Sequence, residues 1–428
     1  MKKVTLAVFG SLGDLHPMIG VGLALRARGV HVTIATQPDY RDKVLNAGLD
    51  FHPVGLTYVS YFQDNSLSPA EFVSRFAGDS GYVYKSVIAP YLAKSIEEIR
   101  PLISQSDGVV STSLAFHAHI AATLEQKPFI VAHLSPGVMF SAYDPLKSPE
   151  APFLSGRGPW SRSFNRLLLA LGGVKISPSL AAIRGTYKAY GVAPDLNFVV
   201  LKSDLLTLGL YSPLLGEKQP DHPANLSITG YPFYDSPDGH TPQLDAELRA
   251  FLDGGSAPLV FSLGSAAVFG GERYYRTAVK AALALRRRAV ILVGPGSSLL
   301  GEDFGSDVYV TPYAPHSLLF PRASAVVHHG GIGSAGQALL SGRPQLVTPV
   351  FADQFDNAER VRRLGVVGIL PYRGWSVGAA KARIKSLLSA PDVADAARQM
   401  SETIAGETGA YIAADLIIHA LDRVLLHA

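Results

Sequence analysis

Apolar residues in this chain gather in short, nearly unbroken runs. Residues 4–9, 30–35, 108–111 and 129–132 are of this kind, the pattern of strands buried on both faces of a parallel sheet. Residues 15–28 lie between the first two runs with helical spacing and stop at Gly29, as a helix does before a glycine C-cap. The rhythm then restarts with runs at 258–261, 289–293, 308–310, 325–327 and 345–349, each trailed by a glycine or proline turn. Phe9-Gly10-Ser11-Leu12-Gly13 and Phe261-Ser262-Leu263-Gly264-Ser265 open the two halves alike. The pattern predicts an α/β protein of two Rossmann-like, doubly wound lobes facing across a cleft. Residues 230–239, rich in Pro, Gly and Asp, read as the linker. Residues 141–192 break the rhythm with Phe, Tyr, Trp and Leu among prolines and read as a variable insertion. The expected boundaries are a first lobe over 1–235, a second over 236–408, and a terminal helix over 409–428 packing back on the first.

At 428 residues the chain is too long for one core. A balance of 38 basic and 35 acidic residues, net +3, argues against a nucleic-acid partner, which calls for a concentrated basic face. With no cysteine there are no disulfides, thiolate nucleophiles or cysteine metal ligands. The N-terminal Met-Lys-Lys and its apolar run are too short for a secretory signal and lead into a glycine turn. No stretch reads as a spanning helix, so a cytoplasmic protein without an integral membrane segment is expected, with peripheral membrane contact left open.

Residues 328–339, His-His-Gly-Gly-Ile-Gly-Ser-Ala-Gly-Gln-Ala-Leu, follow a strand and open a helix. Glycines there let a ligand approach the backbone, and the helix start offers free N–H groups and a positive dipole end, the surroundings a diphosphate needs. His329 adds a donor, and a charge if protonated. The alternative is a tight turn with close helix–sheet packing. Asp353 and Gln354 follow the strand at 345–349 and suit sugar hydroxyls, or Asp353 caps the next helix. Ser265 is a further phosphate contact or a plain turn residue. In the first half, Gly10 to Pro17 lacks the dinucleotide spacing. Asp14 reads as a general base or a helix N-cap, and His16 is a second candidate base. His117, His119 and His133 lie near strand ends, with His133 held as acceptor-pocket lining. No Asp-x-Asp triplet occurs, and no metal is expected.

Taken in order, Tyr313-Ala314-Pro315-His316, His329-x-Gly331, Gly342-x-Pro344 and Asp353-Gln354-x-x-Asn357-Ala358 resemble the donor signature of the GT1 family of glycosyltransferases, of GT-B fold. The resemblance covers essentially the whole chain. It implies that the first lobe binds the acceptor and the second a nucleotide-diphosphate sugar. It implies that Tyr313 and Ala314 border the base, that Ser265, His329, Gly331, Gly333 and Ser334 hold the diphosphate, and that Asp353 and Gln354 grip the sugar. Gln337 stands where the family usually has a ribose-binding glutamate. Asp14 stands where many members have a catalytic histidine, as in the subgroup of sterol, antibiotic and rhamnolipid glycosyltransferases. Within it the chain looks most like the rhamnolipid rhamnosyltransferases, through Ser135-Pro136, Phe140-Ser141-Ala142 and Thr229-Gly230-Tyr231-Pro232 among other segments. The implied reaction is inverting and metal-independent, with no cofactor. It moves rhamnose from dTDP-rhamnose, or glucose from UDP-glucose, to a hydroxyl of an apolar acceptor such as a hydroxy-fatty-acid lipid, flavonoid, terpene or sterol. His133 and Phe140 would line the acceptor pocket. A nucleotide-sugar epimerase and a non-catalytic solute-binding protein are the rival readings.

Overall fold

The computed structural model describes residues 1–149, 158–194, 196–197, 199–236, 239–264 and 271–425. The chain forms two compact units. One comprises Met1–Leu67, Gly78–Tyr234 and Thr408–Ala428; the other comprises Ser68–Ala77 and Asp235–Glu407. The grouping of Ser68–Ala77 with the second unit differs from the sequence expectation, and the edge of Phe76 against Phe351, ring centroids 5.0 Å apart, shows what holds it there.

The first unit is built on a sheet of β1 (Lys3–Ala7), β2 (His31–Thr36), β3 (Asp50–Pro53), β4 (Gly108–Thr112), β5 (Phe129–His133), β8 (Leu206–Gly209) and β9 (Leu226–Ile228). A separate hairpin pairs β6 (Leu196–Asn197) with β7 (Val200–Leu201). The sheet order is β3-β2-β1-β4-β5-β8-β9, and every neighbour pair in it is parallel. β1 is central: Leu6 pairs with Ile34 on one side and Val110 on the other. The Leu12–Arg26 helix covers one face, and the Gly409–Leu425 helix packs against it. Ala413, Ala414, Ile417 and Leu421 of the latter are fully buried. Gly108 is needed beneath it, because a Cβ there would lie 2.4 Å from Leu421. The segment read as an insertion carries the helices Pro159–Ile176 and Ala181–Ala189.

The second unit repeats the plan. Its strands are β10 (Leu259–Ser262), β11 (Ala289–Leu292), β12 (Val308–Thr311), β13 (Ala325–His328), β14 (Gln345–Val347) and β15 (Val367–Ile369). Their order is β12-β11-β10-β13-β14-β15, all parallel. In both sheets the strand order reverses beside the first strand, between β1 and β4 and between β10 and β13. Such switch points are where open α/β sheets bind ligands, at the strands' carboxyl ends. A buried aromatic group backs the second sheet, with Tyr274 stacked on Trp375 at 4.6 Å.

Two helical stretches, Trp160–Ala189 and Pro391–Val424, have the length and apolarity of membrane spans, which the sequence reading had not credited. The second is two helices, Pro391–Ala405 and Gly409–Leu425, and 39% of its apolar window is buried.

Candidate functional site

In the second unit, β13 ends at His328 and the next helix begins at Ile332. His328 is fully buried. Its Nδ1 accepts from the Gly330 N–H at 3.2 Å, so its Nε2 is the protonated nitrogen and donates to Gln345 Oε1 at 3.0 Å. His328 is therefore a structural residue that shapes the turn. Gly330 has φ +89°, and a Cβ on it would lie 2.8 Å from Val347 and 3.0 Å from the Gln354 carbonyl. Only glycine fits that position.

The His329 ring is held between two glycines. A Cβ on Gly264, which has φ +69°, would lie 2.3 Å from the ring, and one on Gly331 would lie 2.4 Å from Nε2. Burial pushes His329 down to about 3, with His328 and His316 adding to the effect. The imidazole is thus neutral at physiological pH and supplies a hydrogen bond without a charge, which removes the cationic option raised from sequence. Its Nδ1 is buried and makes no hydrogen bond to any described residue, a cost that a ligand at this edge would remove. Gly331 is the N-cap of the Ile332–Leu340 helix, and no side chain caps that helix. The N–H groups of Gly333 and Ser334, in its first turn, lack intrahelical acceptors. A Cβ on Gly333 would meet nothing within 4 Å, so the approach to these groups is open. One turn on, Gln337 is buried, and its Oε1 has no hydrogen-bond partner among the described residues. Ser265 lies outside the described residues.

After β14 the chain turns through Ala352 at φ +53°, a left-handed conformation that costs energy for a residue with a side chain. This turn delivers Asp353 to the start of the Gln354–Arg363 helix. Asp353 occupies the N-cap position without capping, so the capping alternative does not hold. Its Oδ2 instead accepts from Asn357 Nδ2 at 2.9 Å, and the same amide donates to the Gly330 carbonyl at 3.0 Å. Asn357 is fully buried and ties the glycine turn to Asp353. Gln354 is buried too, and its Oε1 accepts from the N–H groups of Val350 and Phe351 at 2.9 and 3.1 Å. Its carbonyl closes its own loop, and only the amide nitrogen is left to offer a ligand. Tyr313 donates its hydroxyl to the Asp235 carbonyl at 2.7 Å, which fixes its ring, while Ala314 is buried. Among the described residues no three His, Asp or Glu side chains form a group that could hold a metal ion.

The first unit treats its turn differently. Ser11 is the N-cap of the Leu12–Arg26 helix, and Asp14 stands at the third helical position, closing a capping box. The Ser11 Oγ accepts from the Gly13 N–H at 3.2 Å, and Asp14 Oδ2 accepts from the Ser11 N–H at 2.8 Å. Gly10 leaves room for that carboxylate, since a Cβ on it would lie 2.1 Å from Oδ2. Asp14 is half-buried, and its charge helps hold the neighbouring phenols of Tyr40 and Tyr58 above the usual range, although burial is the larger cause. The two hydroxyls lie 3.3 Å apart. Sequence reasoning missed both tyrosines, which have no fixed spacing from Asp14. His16 meets Tyr234 edge-on at 5.5 Å.

His133 ends β5 and is buried, which pushes it down to about 4. Its Nδ1 lies 2.8 Å from the Ser113 hydroxyl at the end of β4. Phe140 adopts φ +44° and packs on the core around Tyr84 and Phe116. His117 and His119 lie on the Phe116–Leu124 helix that follows the end of β4, with His119 bonded to the Tyr187 hydroxyl at 3.1 Å.

Residues 4–91 match the glycosyltransferase family 28 N-terminal domain, and residues 290–418 match the C-terminal domain of the erythromycin biosynthesis protein CIII-like family. The chain is 29% identical to an O-mycaminosyltylonolide 6-deoxyallosyltransferase of Streptomyces fradiae, over 97% of this chain and 96% of that one. It is 25% identical to a sterol 3-beta-glucosyltransferase of Arabidopsis thaliana, over 85% of this chain and 57% of that one. Among solved structures, the spinosyn rhamnosyltransferase SpnG complexed with thymidine diphosphate aligns with a TM-score of 0.68 at 19% identity, covering 98% of this chain and 99% of that one.

Proposed function

Since the chain belongs to the GT1-type glycosyltransferases of GT-B architecture, we propose that it transfers a hexose from a nucleotide diphosphate to a hydroxyl of an apolar polycyclic or lipid acceptor, with inversion and without a metal. The observation that carries this reading is the uncapped helix start at Gly331 beside the neutral, buried imidazole of His329. Preorganised N–H groups of this kind stabilise the charge that builds on a departing diphosphate, and they are worth most where water is excluded.

In the proposed reaction Asp14 takes the proton from the acceptor hydroxyl. The oxygen attacks the anomeric carbon, the bond from that carbon to the phosphate oxygen breaks, and the diphosphate leaves with the electron pair against Gly333, Ser334 and His329. Asp353 and the amide of Gln354 orient the sugar, and Asn357 holds Asp353 in place. Ser265 and Tyr313 complete the donor site, with Gln337 Oε1 accepting from a ribose hydroxyl. The capping box gives Asp14 a second duty, because one of its oxygens is already bonded to Ser11. His133 and Phe140 are proposed at the acceptor side. A thymidine-diphosphate 6-deoxyhexose is the favoured donor, supported by the 6-deoxyallosyltransferase relative and the thymidine-diphosphate-bound structural neighbour. UDP-glucose is the alternative, supported by the sterol glucosyltransferase.

The test is a panel of nucleotide sugars read by thermal unfolding, followed by turnover with a chelator present. A true donor at a hundredfold excess over its dissociation constant stabilises the fold by about 2.7 kcal/mol. The rate should be unchanged by chelation. A sugar nucleotide isomerised without any acceptor would make the enzyme an epimerase instead.

A further inference from the structure

The Pro159–Ile176 helix carries large apolar side chains on the face that is not packed. Trp160 is 92% exposed, Phe164 49%, Leu167 56%, Leu171 54% and Val174 72%. Steps of four, three, four and three residues place all five on one stripe. The opposite face is the one that packs: Asn165 is buried and donates to the Ala142 carbonyl at 3.1 Å, which sets the rotation of the helix. The stripe is therefore presented by the fold and is not the product of a loose end. Five exposed large apolar residues in line mark an interaction surface.

Charge identifies what covers it. From Glu150 to Asp195 there is no intervening carboxylate, while Arg157, Arg162, Arg166, Lys175, Arg184 and Lys188 all fall in that interval. Lys175 borders the stripe on one side; Arg166 lies further round the helix, about 80° beyond the other edge, where its guanidinium sits over the Tyr143 ring at 5.6 Å. We propose that this helix lies in the plane of an anionic lipid surface, with its tryptophan, phenylalanine and leucines among the acyl chains and its cations at the headgroups. A second copy of the chain fits less well. An isologous pairing would bring these like charges together, and one helix about 27 Å long and roughly 10 Å wide presents a face on the order of 300 Å², short of the roughly 800 Å² per partner that stable association takes. A bilayer span fits less well too, because a 3₁₀ turn at Ser177–Leu180, with Pro178 in it, breaks the stretch, and two arginines sit in its first half. The proposal goes beyond the transfer reaction and is read without any substrate.

The experiment is co-sedimentation of the full chain with vesicles of phosphatidylcholine alone, or of phosphatidylcholine with about one-third phosphatidylglycerol, in about 0.1 M salt. The expected result is at least tenfold (~1.4 kcal/mol) stronger association with the anionic vesicles, weakened by about 1 M salt. Phe164→Gln with Leu167→Gln should cut it by about tenfold with a small change in melting temperature, since both side chains are only about half buried. Arg166→Glu with Lys175→Glu, which leaves the apolar stripe whole, should abolish the preference for anionic lipid. No sedimentation, or sedimentation that both double variants leave intact, overturns the proposal. So does a soluble dimer dissolved by the apolar variant, which would assign the stripe to a second copy, or retention in the vesicles after alkaline carbonate, which would mean a span.

Discussion

The two units open their switch points with the same four helical positions and fill them in opposite ways. Ser11-Leu12-Gly13-Asp14 begins the helix after β1, and Gly331-Ile332-Gly333-Ser334 begins the helix after β13, the strand on the other side of its own sheet's switch point. In the first, serine and aspartate satisfy the helix's own N–H groups, and a carboxylate sits against the positive end of the dipole. In the second, glycine stands at the cap and serine at the third position, so the same groups remain for an outside anion. One kind of helix start is thus closed on itself in the first unit and left open in the second, and under the proposed function the first holds the proton acceptor and the second the anion cradle.

The comparison can be broken at its strongest point first. Asp14→Asn keeps a capping side chain but cannot take a proton, and kcat should fall by roughly 10²–10⁴ with donor affinity near that of the parent in calorimetry. Equal loss of donor binding would remove Asp14 from the base role. Ser334→Asp imports the first unit's carboxylate into the second, and donor affinity should drop by about a hundredfold or more from like-charge repulsion; an unchanged dissociation constant would show that the diphosphate does not sit there. Asn357→Ala should weaken the donor by about tenfold and lower stability by about 1–3 kcal/mol, because it leaves the Gly330 carbonyl and Asp353 without their shared donor. Loss of stability with donor affinity intact would confine Asn357 to structure.

The smallest effect is acid sensitivity. Burial holds His117, His133 and His328 down to about 4 and His329 to about 3, against about 6.5 when unfolded. The unfolded chain therefore binds protons first as pH falls. Stability from these groups is complete above about 6.5 and declines steadily from there toward about 4. Melting temperature measured from pH 8 down to 5 should be flat and then fall, and a profile level to pH 5 would contradict the neutral assignment.

Much of the fold was legible because parallel strands buried on both faces leave apolar runs that nothing else explains. β3, β8, β9 and β15 escaped notice: β3 is half-exposed and reads Asp-Phe-His-Pro, and the other three, Leu-Thr-Leu-Gly, Leu-Ser-Ile and Val-Gly-Ile, are apolar runs interrupted by a small or polar residue. The glycine turn at 330–331 was readable, since strand, glycines and helix follow one another in sequence. The neutrality of His329 was not, because it depends on burial among residues from other strands. Nor could spacing show that Ser11 caps and Asp14 stands third, or that the Gln354 carbonyl is used up by its own loop. The helix carrying His117 and His119 went unread because a short alanine-rich helix in the core carries no amphipathic signature.

The packing around His329 leaves three positions behaving as one. Its ring fills the volume that two missing side chains leave at 264 and 331, so any enlargement there displaces the imidazole, and any shrinkage of the ring opens a void. Libraries that randomise this pocket to change donor preference should find functional members only where all three letters move together or none does.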